Sequence, residues 1–152
     1  MVISVSRRTD IPAFYAKWFY NRLRAGYVLV RNPMNVHNVS KVALLPEVVD
    51  AFVFWTKNPL PLMKRLDELA EYPYYFQFTF TGYGKDIEPG LPDKKQALLP
   101  AFKELAVKTG RQRVIWRYDP IFFSSRYSAE YHLECFEALA AELSGSTERC
   151  VI

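Results

Sequence analysis

Several charged residues in this chain stand directly after short apolar stretches: Arg7, Arg8 and Asp10 near the start, Lys57 in the middle, Arg117 and Asp119 toward the end. A guanidinium is a planar fork of donors that grips a carboxylate or phosphate through two parallel hydrogen bonds. Two or three at one rim make an anion cradle, so Arg7, Arg8 and Arg117 are candidate substrate ligands. Lys57, Asp10 and Asp119 are candidate acid–base groups. A lysine among arginines would be less basic, as a general base or amine nucleophile requires, whereas a carboxylate there would stay ionised. A plainer use competes. Asp10 and Asp119 can pair with the arginines and close the mouth of the fold, and Lys57 can be a simple anion contact.

The elements that must position these groups are legible as an alternation. Strand-like stretches begin near residues 2, 51, 74, 113 and 149, and helical periodicity separates them. Tyr15, Phe19 and Leu23 recur at helical spacing before Gly26, and Leu62, Leu66 and Leu69 share a helical face after Pro61. Asp93 is a cap for a helix bearing Leu98, Phe102 and Leu105 that Pro100 should kink. Ser128 caps another, carrying Leu133, Phe136, Ala140 and Leu143. One segment departs from the alternation: Tyr27–Arg31 and residues 39–45 flank Asn32-Pro33-Met34-Asn35, which reads as a hairpin inserted after the first helix. Strands alternating with helices predict βαβ units and a parallel sheet.

Ligands of parallel α/β folds bind beyond the carboxyl ends of the strands. Those ends hold Arg7 and Arg8, then Lys57 and Asn58, then Thr81 and Tyr83, then Arg117, Tyr118 and Asp119. Two exits share the form W-x-x-(N/D)-P, at Trp55–Pro59 and Trp116–Pro120, which predicts equivalent, buried places for Trp55 and Trp116, with Trp18 packed on the helical layer. In the third strand Phe76, Phe78 and Phe80 alternate with Gln77, Thr79 and Thr81, so one face is aromatic and the other polar. The aromatic face should meet helices and the polar face a ligand; a strand with one solvated face is the alternative. Tyr83 and Tyr118 can donate hydrogen bonds, stack on a base or sugar, or simply pack.

The predicted fold is α/β: a partial or truncated TIM-like (β/α) barrel with parallel strands and an inserted β-hairpin, with an open doubly wound sheet as the alternative. The 152 residues suit a single domain, whereas an eight-unit barrel needs about 250. Residues 1–152 are therefore expected to be the N-terminal portion of a longer barrel protein, inactive alone and prone to self-association through an exposed sheet edge. Half of the residues are apolar and 16% are aromatic, which excludes disorder. The longest apolar run, Ala51–Trp55, is far short of the roughly 20 residues that span a bilayer, so no membrane role is expected. Arg7-Arg8 is not followed by the apolar stretch of an export signal. Cys135 and Cys150, without metal spacing, point to a reducing cytoplasm. Only two histidines, His37 and His132, occur, so a histidine metal site is not expected.

Net charge is +4 but uneven: residues 1–40 hold Arg7, Arg8, Lys17, Arg22, Arg24 and Arg31 against Asp10 alone. An anionic small-molecule substrate, bearing phosphate or carboxylate, is the leading partner. A nucleic-acid-binding or repair module and a noncatalytic scaffold are the alternatives.

The stretches SRRTDIPAFY, VRNP, VFWTKNP, FQFTFTGY and WRYDPI, in this order, resemble the uncharacterised bacterial family called domain of unknown function eighteen forty-eight. That resemblance, which covers essentially the whole chain, implies a TIM-barrel-like fold. It further implies that full-length members carry a C-terminal cysteine cluster similar to that of radical S-adenosylmethionine enzymes. A 4Fe–4S cluster and S-adenosylmethionine would then belong to the full-length parent. No iron ligand can be named within this chain.

Overall fold

A computed structural model describes all 152 residues. In chain order the elements are β1 (Val2–Ser4), α1 (Ile11–Phe14), α2 (Ala16–Ala25), β2 (Tyr27–Arg31), β3 (Val39–Ala43), β4 (Ala51–Thr56), α3 (Leu60–Met63), β5 (Tyr74–Thr79), α4 (Leu99–Thr109), β6 (Val114–Arg117), α5 (Ala129–Leu143) and β7 (Cys150–Val151). The fold is mixed α/β. Five strands form one sheet in the order β1-β4-β5-β6-β7, every pairing parallel. The strands β2 and β3 pair antiparallel as a separate hairpin, in the place expected for the insertion.

Sheet order follows chain order without reversal, so the doubly wound alternative, which needs a switch point, does not occur. Neither does a closed barrel: β1 and β7 are the two edges. The pleat sorts the side chains. Phe52, Phe54, Phe76, Phe78, Val114 and Trp116 lie on one face and are all buried. Helices cover that face: Phe19 of α2 packs edge-on against Phe52 and Phe54, Phe102 of α4 stacks on Phe78, and Phe136 of α5 stacks on Trp116. The opposite face presents Tyr75, Gln77, Thr79, Ile115 and Arg117, all half-buried, with Val53 buried among them, and the buried side chains of all five helices pack into the core on the other face.

Several local expectations hold. Asp93 accepts the Gln96 N–H at 2.7 Å and Ser128 accepts the Tyr131 N–H at 3.2 Å, so both cap their helices. Gly26 ends α2 at φ 75°, a left-handed conformation that glycine adopts without strain. Other details differ. The first helix is two, broken at Tyr15, and the run carrying Leu62, Leu66 and Leu69 is a short α3 followed by a 3-10 turn. The helix capped by Asp93 is irregular ahead of Pro100: a π-helical turn at Lys94–Leu98 runs directly into α4, whose first turn holds Pro100. Leu133 is 71% exposed rather than on the packed face of α5.

Trp116 is buried at 3% exposure as expected, but Trp55 is not, at 38%. Trp116 aligns across the sheet with Phe78, and Phe78 with Thr56, so the two W-x-x-(N/D)-P exits are offset by one residue. A one-residue slip reverses the face. Trp55 therefore stands on the open side. Trp18 is 44% exposed on α2 instead of packed in the helical layer.

The two faces should respond differently to truncation. Phe78→Ala removes a fully buried ring and should cost about 3–5 kcal/mol, whereas Thr79→Ala should cost less than about 1 kcal/mol. Urea unfolding midpoints of the two variants check this, and equal losses would mean that both faces are buried.

Candidate functional site at the carboxyl ends of the strands

Asp10 locks the first two strand exits together. Its Oδ1 accepts the Ala13 N–H at 3.0 Å as the N-cap of α1, while Oδ2 accepts from the Thr56 hydroxyl at 3.0 Å and the Lys57 N–H at 2.8 Å. Burial raises the Asp10 pKa above its ordinary value, and these hydrogen bonds hold it back. No arginine pairs with it. Asn58 is occupied in the same turn: its Oδ1 accepts from Leu60 N–H at 3.2 Å, and its own N–H donates to Thr56 Oγ1 at 2.9 Å.

The next exits are tied by Glu88, whose side chain is only 5% exposed. It accepts from Lys57 Nζ at 2.5 Å, from Lys94 Nζ, and from the Thr81 hydroxyl at 3.2 Å. Burial works against the Glu88 charge, but the lysine hydrogen bonds outweigh it and hold the carboxyl below its ordinary pKa. Burial also pushes the Lys94 amine below its ordinary range, against the pull of Glu88. Lys94 has spent its donors, since it also serves the carbonyls of Thr81 at 2.8 Å and Tyr83 at 2.7 Å. Lys57 has not. Its side chain is 38% exposed, and Glu88 is its one side-chain partner.

At the fourth exit Arg117 grips Asp119 with two bonds, Nε to Oδ1 at 2.7 Å and Nη2 to Oδ2 at 2.5 Å. Its guanidinium also lies 4.6 Å from the centre of the Trp55 ring, reaching across β5. Thr79 pairs with Arg117 across the sheet and Gln77 with Trp55, so all four stand on the open face. Tyr83 and Tyr118 are core residues instead. The Tyr83 hydroxyl joins the Pro120 carbonyl and Phe122 N–H, each at 3.0 Å. Tyr118 donates to His132 Nδ1 at 3.1 Å, and burial raises its pKa to about 12.

Arg7 and Arg8 do not join Arg117. β1 and β6 are three places apart in the sheet, about 14 Å at ordinary strand spacing. They line instead, with Arg22 and Arg31, a cleft of about 560 Å³ between the end of β1, α2 and the hairpin. Its floor is apolar, with Ile3, Val5, Phe19 and Val28, and Trp18 stands at its side. No acid lines it, and none of its four arginines forms an ion pair. Arg8 donates only to the Arg31 carbonyl, at 2.9 Å.

Sequence reading missed Glu88, Lys94, Arg22 and Arg31. The surplus of cations in residues 1–40 was the available signal for Arg22 and Arg31. Glu88 lies in a Pro/Gly-rich loop without periodicity and Lys94 opens the helical turn that follows it, so nothing local marked them as partners.

No group of three or more His, Cys, Asp or Glu side chains is placed to hold a metal ion. Cys135 and Cys150 are free thiols, and two do not ligate a 4Fe–4S cluster. The residues present do not fit that group. No helix is long and apolar enough to cross a membrane.

Fold and rim define a mixed α/β protein with a one-sided parallel sheet and its polar side chains gathered at the strand exits. The chain belongs to the family described as Domain of unknown function (DUF1848), whose model matches residues 2–152. No curated protein and no solved structure matches it.

Glu88→Gln should destabilise the fold by about 3 kcal/mol, the low end for a broken buried pair because Lys57 is partly in water. The contribution should be pH-dependent in one direction. A carboxyl whose folded pKa is depressed stabilises above its unfolded pKa and loses that effect as pH falls through the folded value. Thermal melts of both proteins should differ at pH 7 and converge in acid, below the ordinary glutamate pKa. A constant difference across pH would mean that Glu88 does not act as a carboxylate.

Proposed function

We propose that this chain is part of a (β/α)-barrel-type enzyme that takes an anionic small-molecule substrate, phosphate- or carboxylate-bearing, at the carboxyl end of β1. The observation that carries this reading is the arginine cleft: four guanidiniums around one cavity with no acid among its lining residues. Like charges so placed repel one another, and an anion relieves the repulsion. The apolar floor selects further. It favours a substrate with a hydrophobic body behind its charged head, in a cavity of ordinary ligand size.

The barrel reading is supported by sheet order that follows chain order and by helices confined to one face, both features of successive right-handed βα units. Of the candidate acid–base groups, Lys57 is the one with donors to spare, and its backbone N–H is bonded to Asp10, the residue that begins α1 beside the cleft. Lys57 is thus the group we assign to the substrate's reacting end. Asp10 and Asp119 act as positioning residues, because their oxygens are already taken.

Melting temperatures at fixed ionic strength test the reading, with phenyl phosphate, inorganic phosphate and phenol as probes. Phenyl phosphate should raise the melting temperature most, by mass action, and Arg22→Ala should remove most of that shift. Arg7→Lys should weaken it while keeping the charge, because the planar fork is lost. No shift with either phosphate would overturn the reading. Binding of single-stranded DNA that falls steeply with salt, with no response to phenyl phosphate, would favour the nucleic-acid module instead.

A further inference from the structure

The open face of the sheet carries a second constellation, chemically unlike the arginine cleft. Three buried side-chain atoms in the protein lack a hydrogen-bond partner, and two of them are Gln77 Oε1 and Ser6 Oγ. Gln77 lies directly beside Trp55 across the sheet. One unmet polar acceptor therefore adjoins a half-exposed indole. Buried polar groups without partners are rare, and each calls for a water or a ligand group.

Above this row lies the Arg117 guanidinium, 4.6 Å from the Trp55 ring centre and neutralised by Asp119. Nε and Nη2 are committed to Asp119, so the cation is fixed in place and cannot swing out to seize an anion. What remains is an electrically balanced aromatic platform with an amide at its edge. An anion has little to gain here. A flat neutral ring has more: it stacks on the indole, and its edge meets the carbonyl and amino groups of one glutamine, the arrangement by which Gln pairs with adenine through two hydrogen bonds.

We infer that the open sheet face is a binding site for a neutral planar heteroaromatic ring, stacked on Trp55 and Arg117 and read at its edge by Gln77. The ring must carry a donor next to an acceptor, as the nucleobase adenine does. The donor goes to Gln77 Oε1, which satisfies that buried acceptor. The acceptor takes a hydrogen from the same amide. This inference goes beyond the anion cleft and stands on different residues. It holds or fails independently of it.

Isothermal titration of the whole chain with adenosine, and with purine riboside, which lacks the exocyclic amino group, tests the assignment. Adenosine should bind saturably at one site, at least tenfold more tightly than purine riboside. Gln77→Leu should abolish that discrimination, and Trp55→Ala should weaken both nucleosides. Gln77→Leu should leave the melting temperature unchanged or raise it, because an unpaired buried acceptor is replaced by an apolar group of similar size. It should also leave the response to phenyl phosphate intact, which separates this site from the cleft. Three results would each overturn the inference: no saturable adenosine binding, equal affinity for the two nucleosides, or a Gln77→Leu melting temperature that falls and so shows Oε1 to be satisfied within the protein.

Discussion

The pleat of three short parallel strands constrains everything else in this protein. In β4, β5 and β6 alternate residues must point to opposite sides, and the sequence puts phenylalanine, valine or tryptophan at nearly every position of one phase. Phe54 stacks on Phe76 with ring centres 5.1 Å apart, and Phe78 stacks on Phe102 of α4 at 4.9 Å. Burying rings of this size contributes several kilocalories per mole across the layer. That gain can be realised only if every helix settles on the same side. The polar phase is then left uncovered, and the strand exits share one rim.

Because the helices occupy one side only, charge at the exits divides into two regions of different character. Along the rim each cation has an acid: Arg117 has Asp119, and Lys57 and Lys94 share Glu88. These pairs fasten the loops after β4, β5 and β6, and their value lies in fixing those loops, since a buried carboxylate with one lysine removed would be left short of compensation. Beside β1 the balance is broken, and four arginines face a cavity with an apolar floor. These guanidiniums, left without acids around one cavity, are the feature on which the proposed anion site rests.

Much of this was legible in the sequence, for identifiable reasons. The parallel sheet, the hairpin and the caps at Asp93 and Ser128 rest on local chemistry, which periodicity and turn residues report directly. The aromatic and polar faces of β5 followed from strict alternation in Phe76–Thr79. Register across strands was not legible. The two tryptophan motifs look equivalent, yet they are offset by one residue, which moved Trp55 to the open side and brought Arg117 level with Thr79 instead. Long-range partners were hidden for the same reason: the bond from Lys57 to Glu88 joins residues 31 apart, and the Asp10 clamp joins residues 46 and 47 apart. Arg7 and Arg8 were visible as candidates, but their direction away from Arg117 depends on the hairpin that walls the cleft.

The central claim is that this parallel sheet is covered on one face and open on the other. Hydroxyl-radical footprinting of the folded chain, read by mass spectrometry at single residues, tests it most directly. Trp55 and Tyr75 on the open face should be oxidised readily, whereas Phe54, Phe76 and Trp116, their strand neighbours of opposite phase, should be protected until the protein unfolds. Equal protection of both sets would show that a second layer covers the sheet, and would contradict the one-sided fold on which the rim and both proposed sites rest.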